Sequence, residues 1–69
     1  MAKRVPTGKF AMTIIGAHLT GVVPNWVNGA EVVCRDLREV HTVRRYTKKA
    51  DLTVTWHEEA ELQIATLSF

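Results

Sequence analysis

Between Asn28 and about Tyr46 (NGAEVVCRDLREVHTVRRY) apolar residues recur in steps of three and four. Ala30, Val33, Cys34, Leu37, Val40 and Val43 would then share one side of a cylinder, with Glu31, Arg35, Arg38, Glu39 and Thr42 opposite. The pattern predicts an amphipathic helix of four to five turns. Asn28 suits its N-cap, because the side-chain oxygen accepts from orphan amides of the first turn, and Glu31 stands at capping-box spacing. A competing division ends the helix near Glu39 and begins a strand over Val40–Tyr46 (VHTVRRY).

Period two marks the flanking segments. In Lys9–Ala17 (KFAMTIIGA), Phe10, Met12 and Ile14 alternate with Ala11, Thr13 and Ile15, which predicts a strand with two largely apolar faces. Gly16, Gly21 and Pro24 punctuate the next stretch, so a long connection is expected up to Val27, with a turn near Pro24-Asn25. Val22, Val23, Trp26 and Val27 are too apolar for water and should fold back over one end of the helix. Leu52–Trp56 (LTVTW) alternates cleanly, His57-Glu58-Glu59-Ala60 forms the expected hairpin loop, and Glu61–Phe69 (ELQIATLSF) returns. The phase of that last strand changes midway, which calls either for a bulge near Ala65 or for cover on both faces.

The expected fold class is α+β: one amphipathic helix packed on a three-stranded antiparallel sheet, in the order β-α-β-β. Sixty-nine residues make a single small domain over 1–69, with residues 1–8 (MAKRVPTG) as a loose basic N-terminal arm. A chain this short buries only about 60% of the surface its unfolded form exposes. Its single cysteine, Cys34, offers no intrachain disulfide and points to a reducing compartment, hence a cytoplasmic location. Self-association is one way to make up the missing core.

Charge narrows the function little. Nine basic and seven acidic residues leave a net +2, too balanced to identify a partner. No apolar run is long enough to cross a bilayer, so no membrane role is expected. Lys3 and Arg4 ahead of Phe10–Val23 faintly resemble a signal peptide, but Thr13, His18 and Thr20 interrupt the apolar segment and no small-x-small site follows.

Candidate chemistry is sparse. There is no nucleotide-binding loop, no Gly-x-Ser-x-Gly, no His-Glu-x-x-His and no paired-cysteine motif, so neither a cofactor nor a metal nor catalysis is expected. Cys34 and His41 would share a helix side but stand roughly 10 Å apart along its axis, too far for one metal ion. His57, Glu58, Glu59 and Glu61 crowd the hairpin tip, where neighbours point apart.

Two surfaces remain. Arg44, Arg45, Tyr46, Lys48 and Lys49 form a basic cluster with one aromatic, suited to a nucleic-acid backbone with a base stacked on Tyr46. Cations at a helix C-terminus also complement the helix dipole, and Glu31, Asp36 and Glu39 interleave with Arg35 and Arg38, which would interrupt a positive stripe. The second surface is the outer face of the expected sheet: Ala11, Thr13, Ile15, Thr53, Thr55, Ala65, Leu67 and Phe69, all uncharged. A solvated sheet face ordinarily carries Lys, Glu or Arg, so this one reads as a protein-contact face. The expected function is therefore non-enzymatic: a small accessory or inhibitor protein that binds a larger protein and self-associates as a homodimer through that face. Leu67→Glu or Ile15→Glu should then break the contact and leave a folded monomer. The alternative is a nucleic-acid-binding regulator using the basic cluster.

Overall fold

The computed structural model describes residues 4–69. The chain is α+β, built as β1 (Arg4–Pro6), α1 (Thr7–Thr20), a 3-10 turn (Asn25–Val27), β2 (Glu31–Cys34), α2 (Leu37–Lys49), β3 (Thr53–Glu59) and β4 (Leu62–Ser68). The sheet has four strands in the order β1-β2-β4-β3; β1 lies parallel to β2, and β4 runs antiparallel to both its neighbours. Both helices serve as crossovers between parallel strands, and Phe10 and Ile14 of α1 meet Val43 of α2 in one core over the same sheet face.

Several expectations are corrected: two helices, not one, pack on a mixed sheet of four strands rather than three antiparallel ones, because segments 4–6 and 31–34 add a parallel pair. Lys9–Ala17 is helix, not strand. Phe10, Ile14 and Ala17 recur at four and three and are buried against the sheet, together with Thr7. Pro6 precedes the first turn, and Gly21 closes the helix in the left-handed conformation (φ 75°), its N–H donating to the Ala17 carbonyl. The expected long helix from Asn28 divides into strand β2 and helix α2. Its true cap is Asp36, whose Oδ1 accepts from the Glu39 N–H at 2.9 Å, while Glu39 Oε1 accepts from the Arg35 N–H at 2.6 Å. Asn28 instead accepts from the Phe69 N–H at 3.1 Å, tying the chain end to the turn before β2. Val40–Tyr46 is helical, so the competing strand there is also set aside. Of the expected loose arm, Arg4–Pro6 is strand β1 and Thr7 and Gly8 open α1; residues 1–3 lie outside the described residues.

The C-terminal hairpin forms as alternation predicts, but longer. Pairing is unbroken from Thr53↔Ser68 to Glu59↔Leu62, so there is no bulge near Ala65. Ile64 and Ala65, neighbours on opposite faces, are both fully buried, so both faces are covered. His57-Glu58-Glu59 belongs to β3, and the turn is Ala60-Glu61, with φ of 49° and 67°. Two consecutive positive φ values are those of a tight hairpin turn that Asn-Gly fits best, and each ordinary side chain there costs about 1 kcal/mol. Ala60→Asn with Glu61→Gly is therefore expected to raise the unfolding free energy by about 1–2 kcal/mol in urea melts; an unchanged or lower midpoint would contradict this turn geometry.

Candidate functional site

Sheet register decides where each candidate residue points. Val5, Val32, Ala65 and Trp56 pair across the strands in one row, Val54 and Leu67 in the next, and these rows face the helices. The eight residues expected to form one uncharged face are thereby separated. Ala65 and Leu67 are core. Ala11, Thr13 and Ile15 sit on α1, across the molecule from the outer sheet face. Only Thr53 and Thr55 lie on that outer face, while Phe69 ends the chain and is exposed.

Nor is the outer face free of charge. Arg4 on edge strand β1 donates to Glu31 at 3.1 Å and bidentately to Glu59 on the opposite edge strand β3. By register the row of Val33 and Ile64 lies between these two ends, so the pair spans that row. That accounts for a fully buried Ile64 on the face away from the helices. Hydrogen bonding to Arg4, then its charge, holds the Glu59 carboxyl below the usual carboxylate range. Both groups are exposed, so the pair contributes little stability by itself.

Cys34 is buried on β2, with the Thr7 hydroxyl 3.5 Å from its sulfur, and burial pushes its thiol pKa up. His41 is exposed on α2, so the two belong to different elements. His57 Nε2 stands 3.8 Å from Glu59 Oε2 on the outer face, and among the described residues no three His, Cys, Asp or Glu side chains converge.

The helix layer carries the unexplained surface. Opposite its buried residues, α1 shows a second apolar stripe: Met12 is 75% exposed, Ile15 48% and Leu19 85%, with Val22 (66%) just past the glycine cap. A helix apolar on both sides is ordinarily buried on both. A strand over Lys9–Ala17 would put Met12 and Ile15 on opposite faces, and Val22, expected to fold back over a helix, is exposed instead; the 12-15-19-22 spacing is helical.

Beside that stripe runs a cationic one. Helix α2 holds five of the nine Lys and Arg residues (Arg38, Arg44, Arg45, Lys48, Lys49) and a single carboxylate, Glu39. The acids expected to break the run are elsewhere: Glu31 is on β2 with Arg4, Asp36 caps the helix, and Glu39 turns back to Arg35. Among the described residues none of the five cations is in an ion pair. Arg44 lies over the Trp56 ring at 5.5 Å, and Arg45 over Tyr46 at 5.7 Å, which occupies faces a base would use.

Both helices run back from parallel strands, so their C-terminal turns lie side by side. The stripes meet there in an open groove of about 820 Å³, with Ile15, His18 and Leu19 on one wall and Arg45, Tyr46, Lys48 and Lys49 on the other. A smaller hollow of about 200 Å³ shares His18 and Lys49 and extends toward Gly21 and Val23. Comparison with family models, with curated proteins and with solved structures gives no match, so the site is read from its own residues.

Proposed function

We propose that this is a small non-enzymatic protein-binding protein, an accessory or inhibitor of a larger complex, whose contact surface is the outer side of α1 and the groove beside it. The observation that supports this is the exposure of Met12, Ile15, Leu19 and Val22 at three- and four-residue spacing. Burying a Leu or Met side chain is worth about 1.5–3 kcal/mol, so a partner covering this stripe gains several such contributions from a surface that otherwise stays wet. Among the described residues the groove's lining holds no carboxylate, thiol or aliphatic hydroxyl, which favours binding over catalysis.

The outer sheet face, first choice from the sequence, is the weaker seat for self-association. Arg4 and Glu59 already cover its centre, and its apolar Ile64 is satisfied within one copy. Capture from an extract of the native source separates the two surfaces. Leu19→Glu should abolish retention of the partner without lowering the melting temperature, whereas Thr53→Glu on the sheet should not. The reverse pattern would return the contact to the sheet.

One observation favours a second reading, nucleic-acid binding: the cations of α2, outside any ion pair among the described residues, form a more continuous stripe than the sequence implied. Retention on duplex DNA or RNA at low salt, released steeply as salt rises and indifferent to Leu19→Glu, would establish it instead.

A further inference from the structure

We infer that the groove between α1 and α2 takes an acidic amphipathic helix from its partner. The inference rests on the protein-binding function proposed above and specifies the partner's chemistry. The groove has two unlike walls along its length: Ile15 and Leu19 are apolar, while Arg45, Lys48 and Lys49 are cationic and, among the described residues, outside any ion pair. A rod seated between them satisfies both only if one stripe is apolar and the adjoining flank carries carboxylates. A helix with Leu-type residues three and four apart and Glu or Asp beside them has that surface.

Other occupants fit less of it. A second copy of this chain offers its own exposed apolar helix, but α1 (TGKFAMTIIGAHLT) contains no acid, so Lys48 and Lys49 would stay unanswered. A two-fold contact would also set one cationic wall near the other. A bilayer surface meets the stripe but does not enter a concave groove between helices. A nucleic acid answers the cations but leaves Leu19, 85% exposed, against phosphate and sugar.

The probe is a fluorescein-labelled synthetic amphipathic helix of about 18 residues, five turns long, with Leu in the apolar stripe and Glu on both flanks. Its control has every Glu replaced by Lys. Fluorescence anisotropy with the full chain should show the acidic peptide binding at least about tenfold more tightly than the basic one. Backbone amide shifts should cluster at Ile15, Leu19, Arg45, Lys48 and Lys49. Lys48→Glu with Lys49→Glu, both on exposed positions, should reverse the preference, and Leu19→Glu should weaken both peptides. Equal binding of the two peptides, lost in Leu19→Glu, would overturn the acidic partner and leave the protein-contact function standing. Self-association that Leu19→Glu abolishes would do the same, with a second copy as occupant. Binding of phosphatidylglycerol vesicles or duplex DNA with neither peptide bound would overturn both, and a groove that binds none of these probes overturns the inference.

Discussion

Leu67→Glu is expected to leave the chain unfolded at room temperature, whereas Ile15→Glu leaves it folded. Leu67 is fully buried among Phe10, Ile14, Val27, Val32 and Val43. Its backbone is fixed as well: the N–H donates to the Ala30 carbonyl and the C=O accepts from Gly29. Glutamate there forfeits about 1.5–3 kcal/mol of apolar transfer. It must also bury an ionised carboxylate, or protonate it, at a further penalty of several kcal/mol. A chain of this size has only about 3–10 kcal/mol of stability in total. Ile15 is half exposed on the rim of a groove whose other wall is Arg45, Lys48 and Lys49, so a carboxylate there stays solvated beside cations. Its cost should stay below about 1 kcal/mol. Far-UV circular dichroism and urea melts of the two variants decide the matter. Two equally folded variants would mean that β4 presents Leu67 to solvent, the opposite of the observed register.

That pair also locates where the sequence was informative. Alternation in Leu52–Trp56 was enough to place Val54 and Trp56 on the helix side, because Thr53 and Thr55 mark the other side unambiguously. In Leu62–Ser68 both faces are apolar, since Ile64 is roofed by the Arg4–Glu59 pair, a contact between residues 55 positions apart that no local pattern encodes. Period two therefore had no polar side to fix its phase. The helix from Asn28 failed for another reason. Val33, Leu37 and Val40 happen to fall at helical spacing, yet Leu37 is exposed and Val33 belongs to a four-residue strand too short to show its own period. The signal that would have divided the segment was present: Asp36 and Glu39 make a better N-terminal box than Asn28 and Glu31. The five residues of the basic cluster are contiguous enough to be read from the sequence, but their separation from the acids depends on that division. Recognising the groove needed α1 to be a helix, since only then do Ile15 and Leu19 fall on one side of it.

Phe10→Ala against Met12→Ala tests that helix with the largest contrast in the N-terminal half. In an extended strand the two side chains would share a face and their truncations would cost alike. On α1 they lie on nearly opposite sides: Phe10 is fully buried and Met12 is 75% exposed. Phe10→Ala should therefore cost about 3–5 kcal/mol, through lost transfer and the cavity left in the core shared by α1, α2 and the sheet. Against a total of about 3–10 kcal/mol this removes about a third of the stability or more, so the urea midpoint should fall steeply. Met12→Ala should stay within about 0.5 kcal/mol, because it uncovers almost nothing and alanine is the better helix former. Urea midpoints of the two variants measure the split directly, and similar losses from both would put residues 7–20 back in a strand. The same comparison bears on function. If Met12 is dispensable for folding, an exposed methionine in line with Ile15 and Leu19 has no structural reason to be apolar, and a partner surface supplies one.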